Sequence, residues 1–312
     1  MRRIGIWISS KWIVTVLWWL GGLAACKAAD STRLLPTARY WHNAKAAVSY
    51  TFDDGLEEHY TKVMPRMDSL GIKGTFWIIG RVIEQRKKMR EAVPMTWEQV
   101  KTLGDHGHEI ASHSYTHTNF KKLSYTEIAR EIDLNDSVIF VNTGYHTNTL
   151  AYPGNSKSDS IVHYVETHKG IIATRTRQQS LGGTRMGTDG NIDKWLQRSI
   201  DSGAWAIGMT HGISVGYDHF ADESVLWRHL EWAKEMQDAG VLWIGTFAEI
   251  ASYLRGLSEE VTYILGTKPV KVSQEGNRLI PYKSWDGRWC VDGKRGVKIT
   301  VDYGYAMGQG SE

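Results

Sequence analysis

The sequence predicts an α/β fold, a closed or nearly closed β/α barrel that is followed by a small β-rich appendage. Short runs rich in β-branched and aromatic residues alternate with longer helical stretches, which is typical of parallel strands joined by crossover helices. Seven such units follow one another, and seven suit a barrel better than an open sheet. The 312-residue length fits one large domain with a modest addition.

The N-terminus, residues 1–26, predicts a secretory signal. Arg2, Arg3 and Lys11 accompany the uncharged, mostly apolar run WIVTVLWWLGGLAA at 12–25, an arrangement typical of a signal peptide. The run has 14 residues, fewer than the ~18–20 that a membrane-spanning helix needs. An uncleaved anchor is the alternative, because the run lengthens when it is counted back through Lys11 to Ile4.

The end of this run contains LAAC at 23–26, which resembles the bacterial lipobox. In that motif the signal is cleaved before a cysteine that then carries lipid, so we expect acyl chains on Cys26 and a tether at 27–45. The ordinary alternative is a small-residue cleavage region that happens to contain a cysteine. Both versions predict an exported protein of the periplasm or cell surface, and the first adds a membrane anchor through Cys26.

The predicted strands are short runs of β-forming residues. The first is AAVSYTF, the second GTFWII, the sixth WAIGMT and the seventh VLWIGT. In chain order the seven strands cover 46–52, 74–79, 109–112, 149–153, 170–174, 205–210 and 241–246. Together with their helices they predict a barrel domain at 46–256.

A predicted helix follows each strand. In chain order the helices cover 58–70, 96–106, 125–141, 159–168, 192–199, 223–239 and 247–254. Ser124 lies three residues before Glu127, which is the spacing of a capping box, and Gly71 and Gly240 lie where two helices should end. These local patterns support the placement of three of the helices.

Residues 257–312 predict the β-rich appendage. This segment is rich in Val, Tyr, Trp, Gly and Lys, and the pairs DG at 286–287 and DG at 292–293 are typical hairpin turns. So short a segment has a weak core of its own, and we expect it to pack on the barrel.

The composition excludes several classes of protein. Hydrophobic residues make up 42% and charged residues 23%, which excludes wholesale disorder and a multi-span membrane protein. The net charge is +3 and the basic residues are scattered, so we expect no nucleic-acid partner. Two cysteines, Cys26 and Cys290, are too few for a disulfide scaffold.

Polar residues concentrate where the predicted strands end, which is where β/α barrels carry their chemistry. Asp53 and Asp54 follow the first strand, His113 and His117 the third, and His211 the sixth. Two histidines four apart on a helical turn can share a metal, although such pairs are more often surface or core residues. An acid pair before glycine is likewise often a solvated turn. Their coincidence at one end of one barrel favours an active site.

Four segments resemble the polysaccharide deacetylase family, the NodB-homology domain of carbohydrate esterase family 4. They are TFDDG at 51–55, SHSYTH at 112–117, MTH at 209–211 and GIKGTFW at 71–77. The resemblance spans about residues 46–254, and the first two motifs together are highly specific. It implies a distorted (β/α)7 barrel and hydrolysis of N-acetyl or O-acetyl groups of an acetylated polysaccharide or oligosaccharide.

The resemblance also implies roles for individual residues. Asp54, His113 and His117 would bind a divalent metal, commonly zinc, and this arrangement leaves positions open for water and substrate. Asp53 would be the general base and His211 the general acid that protonates the leaving amine. This ligand set would also accept cobalt, nickel, manganese or iron.

Three further residues complete the predicted site. The backbone N–H of Gly154 is expected to help hold the developing oxyanion. Trp205 and Met209, on the strand before His211, are candidates to line a pocket for the acetyl methyl group, and the alternative for both is barrel core.

The sequence departs from the family pattern in two places. Ala151 stands where the third motif usually has an arginine that pairs with the catalytic aspartate. Either another cation substitutes, with Arg175 and Arg185 as candidates, or the base works less well. The aspartate of the fourth motif, which supports the acid histidine, has no clean match. Asp193 in the segment DKW at 193–195 and Asp189 are candidates.

Two other functions compete with a metal-dependent deacetylase. One is a barrel that binds a glycan without turning it over, which the two departures make plausible. The other is a metal-free hydrolase of small cyclic amides, which the predicted export and the complete metal triad disfavour. The glycan itself is not determined by the motifs, because chitin-like oligomers, peptidoglycan, exopolysaccharide and acetylated xylan all present acetyl groups.

Overall fold

The computed structural model of the protein describes residues 40–41, 44–86 and 88–258, and the strands at 261–265, 268–272, 281–283, 289–291 and 299–302. The predicted signal at 1–26, the lipid site at Cys26 and most of the tether lie outside the described residues. Within the described part of the chain, no helix has both the length and the apolar character that a membrane span requires.

All seven predicted strands are present in the barrel, and one more strand of two residues joins them. The eight strands are β1 (Ala46–Asp53), β2 (Thr75–Ile78), β3 (Glu109–Ser112), β4 (Thr149–Ala151), β5 (Ala173–Arg175), β6 (Gln179–Ser180), β7 (Trp205–Thr210) and β8 (Leu242–Ile244). The additional strand is β6, which is too short for a sequence pattern to predict.

The α-helices in the described part of the chain include the seven predicted ones, with two further short α-helices. They are α1 (Met64–Ser69), α2 (Gly80–Gln85), α3 (Trp97–Asp105), α4 (Tyr125–Thr143), α5 (Asp159–Glu166), α6 (Gly183–Met186), α7 (Asn191–Ser202), α8 (Ser224–Asp238) and α9 (Phe247–Ser258). Both unpredicted helices, α2 and α6, begin with glycine, a poor helix former. The predicted capping box of Ser124 and Glu127 is confirmed at the start of α4.

The first predicted helix differs from the expectation. The structure has a π-helical turn at His59–Val63, and only then the α-helix α1. Pro65 lies in the first turn of α1, where its missing N–H costs no hydrogen bond. A single π-helical turn of this kind is frequent at functional sites.

The sheet is parallel and does not close completely. The strand order is β5-β4-β3-β2-β1-β7-β6, and β8 pairs with the first residues of β1. Strand β1 pairs with β2, β7 and β8, and all of its eight residues are buried. The two end strands, β5 and β6, follow each other in the chain without pairing, so the (β/α) barrel predicted from sequence is confirmed in an incompletely closed form.

The two faces of β1 show how the barrel is filled. Tyr50 and Phe52 point outward into the main hydrophobic core, which packs the helices on the sheet. The alternate residues Ser49, Thr51 and Asp53 therefore point inward, because successive side chains of a strand face opposite sides. The inner face carries Asp53 to the carboxyl end of the strand.

The amino end of the barrel is filled by the start of α9. The N–H of Phe247 donates to Thr75 Oγ1 at 2.8 Å, and the N–H of Ala248 donates to the buried Glu109 carboxylate at 2.8 Å. Thr75 and Glu109 are the first residues of β2 and β3. The first N–H groups of a helix have no partner within the helix, and these contacts satisfy them.

The C-terminal part of the chain contains five more strands. They are β9 (Val261–Leu265), β10 (Lys268–Val272), β11 (Pro281–Lys283), β12 (Trp289–Val291) and β13 (Ile299–Asp302). They form an antiparallel sheet in the order β10-β9-β13-β12-β11. The helix α9 extends to Ser258, just past the predicted start of the appendage at 257, and the domain boundaries stay predictions.

Candidate active site

A cleft of about 420 Å³ lies at the carboxyl ends of the strands. This is the end of a β/α barrel at which catalytic residues are expected. Seven of the eight residues predicted for the site line this cleft: Asp53, Asp54, His113, His117, Gly154, Met209 and His211. They come from the carboxyl ends of β1 and β7 and from the segments after β1, β3, β4 and β7. The fold thus brings together residues that are up to 158 positions apart (211 − 53).

Trp205 is the predicted residue that the structure places elsewhere. It is the first residue of β7, paired with Ala47 at the amino end of β1. Its indole N–H donates to Ser49 Oγ at 3.2 Å, and its ring packs on Phe247 with 5.0 Å between ring centroids. A strand rises ~3.3 Å per residue, so Trp205 is too far from the cleft and belongs to the barrel core.

Asp54, His113 and His117 form a cluster that fits a metal ion. Each offers a ligand atom, and the three atoms lie within 4.8 Å of one another. Asp54 Oδ1 is 3.7 Å from His113 Nε2 and 3.9 Å from His117 Nε2. Ligands bound to zinc at ~2.0–2.2 Å in tetrahedral geometry lie roughly 3.3–3.6 Å apart. The two distances from Asp54 are thus close to the spacing of ligands that share one ion.

Asp54 Oδ1 supports the same conclusion. This oxygen is buried and accepts no hydrogen bond from the part of the chain that the structure describes. Burial raises the pKa of the Asp54 carboxyl, although His211 and His117 act in the opposite direction. A buried carboxylate oxygen without a donor is costly, and a divalent cation would supply the missing partner.

His113 is oriented for this cluster by the neighbouring strand. Its Nδ1–H donates to the carbonyl oxygen of Ala151 at 2.8 Å, which leaves Nε2 facing the two aspartates. Burial lowers the pKa of His113 to about 3, so the ring is neutral at physiological pH. A neutral imidazole with its other nitrogen bonded to a carbonyl is the usual form of a histidine ligand.

His113 and His117 do not lie on a helical turn, in contrast to the expectation from their spacing. Ser114 and His117 have positive φ angles of 62° and 60°. The Ser114 hydroxyl accepts a hydrogen bond from the His117 N–H at 3.0 Å, which stabilises a tight turn. The turn places the two rings 4.8 Å apart, centroid to centroid.

Arg175 is the cation that pairs with Asp53. Its guanidinium donates to both carboxylate oxygens, at 2.7 and 2.5 Å, and both side chains are 3% exposed. Arg175 lies on β5 directly beside Ala151 on β4, so the arginine missing at 151 is present one strand further along the sheet. The other candidate, Arg185, is an exposed residue on α6.

This pairing controls the charge of Asp53. Burial alone would raise the pKa of its carboxyl, but the charge and hydrogen bonds of Arg175, with a smaller contribution from His113, hold that pKa well below its usual range. The Arg175 guanidinium also donates to Thr51 Oγ1 at 2.8 Å and lies 5.3 Å from the Trp77 ring centroid. Asp53 is thus a fixed, ionised carboxylate.

The substitution Arg175→Ala is expected to lower the free energy of unfolding by about 3–5 kcal/mol, because it leaves a buried carboxylate without its partner. Adding Ala151→Arg should recover part of this loss, since the two positions are in register on adjacent strands. Urea unfolding of the single and double variants measures both effects, with Arg185→Ala as the control. A double variant no more stable than Arg175→Ala would show that an arginine at position 151 cannot replace the one at position 175.

His211 also lies close to Asp53. Its Nε2 is 4.0 Å from Asp53 Oδ2, and the Tyr217 ring meets it edge-on at 4.9 Å between centroids. Its Nδ1 is buried and makes no hydrogen bond within the described residues.

The two aspartates predicted as partners of His211 are engaged elsewhere, which corrects that prediction. Asp193 accepts a hydrogen bond from His229 Nδ1 at 2.6 Å, and Asp189 pairs with Arg228. His229 is a buried residue of α8 that also contacts the Tyr50 hydroxyl, on the outer face of the sheet. Asp189 and Asp193 were candidates because of their order along the chain, but neither lines the cleft.

Several lining residues had no sequence motif to reveal them. Met89 and Arg90 come from the segment after α2, and Tyr217 comes from the loop after β7. The Arg90 guanidinium lies 4.9 Å from the Tyr217 ring centroid, a cation–π contact at the rim beside His211. Such contacts join loops that are remote in sequence, so periodicity cannot find them.

Comparison with known proteins finds a family model and several relatives, most of which are named as deacetylases, with a gellan lyase of Bacillus sp among them. Residues 42–170 match the family model described as polysaccharide deacetylase. Over 110 residues the chain is 28% identical to a peptidoglycan-N-acetylglucosamine deacetylase of Bacillus cereus, covering 35% of this chain and 36% of that protein. Over 189 residues it is 28% identical to peptidoglycan-N-acetylmuramic acid deacetylase PdaA of Bacillus subtilis, covering 60% of each.

The chain therefore spans less than two thirds of the length of these curated relatives. Among solved structures it is similar to peptidoglycan deacetylase PdaC from Bacillus subtilis, with a TM-score of 0.49 and 14% identity over 68% of this chain and 92% of that chain. The segment matched by the family model includes the aspartates, both clustered histidines and Gly154, and it ends before Met209 and His211.

Proposed function

We propose that this chain, whose residues 42–170 match the polysaccharide deacetylase family model, is an exported, metal-dependent hydrolase that removes acetyl groups from a glycan. The observation that carries the proposal is the cleft itself. The cluster of Asp54, His113 and His117 lies beside an ionised Asp53 and close to His211. A barrel that only binds a glycan has no need of an open metal site.

The three clustered residues are proposed to hold a divalent metal, with zinc as the first candidate. A metal there would polarise the acetyl carbonyl and make a water molecule more acidic. Asp54 would supply a carboxylate oxygen, and His113 and His117 would each supply Nε2. The same donors accept cobalt, nickel, manganese or iron, so the metal is an outcome of the experiment.

Asp53 is proposed as the general base. Arg175 keeps its carboxylate ionised and fixes the plane of the group, so one oxygen can take a proton from the attacking water. The water oxygen adds to the acetyl carbon, and the N–H of Gly154, which also lines the cleft, would donate to the oxyanion. Met209, which lines the cleft, is proposed to contact the acetyl methyl group.

His211 is proposed as the general acid. The carbon–nitrogen bond breaks as the glycan nitrogen receives a proton from His211, which gives acetate and a free amine. An amine leaves poorly without that proton, so the position of this imidazole determines how fast an amide is cleaved. For an O-acetyl group the same residues act on an alcohol leaving group.

The proposed substrate is an acetylated polysaccharide outside the cytoplasm. The curated relatives described above are named as peptidoglycan deacetylases, which supports a cell-wall glycan as the first substrate to test. The predicted signal at 1–26 supports export, and LAAC at 23–26 supports a lipid anchor at Cys26. Mass spectrometry of the mature N-terminus tests the anchor directly.

Acetate release from a panel of acetylated glycans tests the function. The panel contains peptidoglycan, chitin oligomers and acetylated xylan. We expect release from at least one glycan, loss of activity with a chelator and recovery with zinc. If folded, zinc-loaded protein released acetate from none of these glycans, the proposal would be wrong for them and a binding function would be favoured.

A further inference from the structure

A buried histidine connects the loop after β1 to the loop after β7. His59 is fully buried and lies five residues after Asp54. The N–H of Leu56 donates to His59 Nδ1 at 3.3 Å, so the ring proton is on Nε2. That Nε2–H donates to the backbone carbonyl oxygen of His211 at 2.7 Å. Burial lowers the pKa of His59 to about 4, which keeps the ring neutral and this tautomer stable.

Glu58, the residue before His59, binds backbone N–H groups of the same loop after β7. Glu58 Oε2 accepts the backbone N–H groups of Ile213, Ser214 and Val215, at 3.0, 2.9 and 3.3 Å. Its other oxygen lies 3.4 Å from Lys62 Nζ. One carboxylate thus binds three successive amides, the first of which lies two residues after His211. Hydrogen bonds from backbone amides to a charged carboxylate are among the stronger ones in proteins.

The loop itself is tightly folded around Gly212. The Gly212 N–H donates to the carbonyl oxygen of Tyr217 at 3.1 Å. A Cβ atom at position 212 would lie 1.9 Å from the carbonyl oxygen of Val215, which no other residue type could tolerate. The tight turn directs three amides toward Glu58, and the π-helical turn that begins at His59 places both Glu58 and His59 against it.

His211 depends on this support, because no carboxylate among the described residues bonds to its Nδ1. Its Nδ1 makes no hydrogen bond in the described part of the chain, and both predicted aspartate partners face other residues. We propose that Glu58 and His59 are positioning residues that fix the backbone of His211 and so place its imidazole for proton donation. The inference rests on the proposed function, in which His211 is the general acid.

The chemistry of the leaving group provides a test that distinguishes a misplaced His211 from an overall loss of activity. An amine departs only with a proton from the acid, whereas 4-nitrophenolate is stable as an anion and departs without one. A variant with a displaced His211 should therefore lose activity on an N-acetylated glycan and keep activity on 4-nitrophenyl acetate. His211→Ala defines the full effect, and Asp53→Asn should reduce both reactions.

The principal variant is His59→Phe in the full chain. Phenylalanine keeps the packing on Phe52 and Phe76, whose ring centroids lie 5.5 and 5.9 Å from that of His59, and removes both hydrogen bonds. We expect kcat on the glycan to fall at least ~10-fold, part of the ~10²–10⁴-fold effect of a general acid. The rate on the ester and the bound zinc should stay as in the wild type.

His108→Phe is a matched control. His108 is also buried and also packs on Phe76, at 5.3 Å between ring centroids. It lies near the amino end of β2, away from the cleft, where its Nδ1 accepts the Gly74 N–H at 3.1 Å. The same loss of a buried histidine therefore occurs far from His211, and the ratio of glycan to ester turnover should not change.

Each outcome supports or overturns a specific statement. An unchanged ratio in folded, zinc-loaded His59→Phe overturns the positioning role. If that variant does not fold, Glu58→Ala replaces it, because Glu58 is only partly buried and is not a residue of the main hydrophobic core. Wild-type protein that hydrolyses neither substrate overturns the proposed function instead.

Discussion

Asp53→Asn is expected to lower kcat for glycan deacetylation by about 10²–10⁴-fold, the usual contribution of a general base. An amide cannot accept a proton from water at neutral pH. The carboxylate it replaces is buried and is held ionised by two hydrogen bonds from Arg175. Initial rates of acetate release, measured on the wild type and the variant with equal zinc content, give the ratio.

The substitution has a second effect that must be separated from the first. Arg175 is 3% exposed and loses its charged partner, which is expected to cost about 3–5 kcal/mol of the free energy of unfolding. Rates should therefore be taken at a temperature where circular dichroism shows the variant to be folded. Asp105→Asn, at an exposed aspartate on α3, is the control for a change of charge alone. Near-normal turnover by folded Asp53→Asn would refute the base role.

His113→Ala is expected to abolish measurable zinc binding and glycan turnover together. The ring supplies one of three clustered ligand atoms, and its Nδ1–H bond to Ala151 shows that its orientation is set by the strand. Loss of a residue that only supports a ligand already costs ~10–100-fold in metal affinity, so loss of the ligand itself should cost more. Metal analysis after dialysis and calorimetric zinc titration measure the affinity.

The control for this variant is His229→Ala. His229 is also a buried histidine, but it bonds to Asp193 and Tyr50 on the outer side of the sheet. We expect it to lower stability while zinc stoichiometry stays as in the wild type. Retained zinc in His113→Ala, at wild-type affinity, would show that the metal site lies elsewhere.

Local patterns in the sequence predicted much of the fold. The alternation of strands and helices depends on runs of neighbouring residues, and burial of those runs gives each strand its place in the barrel. The capping box at Ser124 and Glu127 is likewise a contact between residues three apart. The unpredicted elements β6, α2 and α6 are two, six and four residues long, too short for periodicity to show.

Other features required contacts between segments that are distant in the chain. The spacing of His113 and His117 was consistent with a helix, yet a hydroxyl bond and two positive φ angles produce a turn instead. Trp205 precedes His211 by only six residues, but it begins the strand that His211 follows. It therefore lies at the amino end of the barrel and packs in the core.

The sequence by itself determined that this protein has a parallel β/α barrel with acidic and imidazole side chains at the carboxyl ends of its strands. Only the tertiary structure decided which cation pairs with Asp53 and what holds the loop of His211. The choice of Arg175 over Arg185, and the bond from His59 to His211, join residues 122 and 152 positions apart. Contacts at such separations arise from strand order and register, which no local pattern encodes.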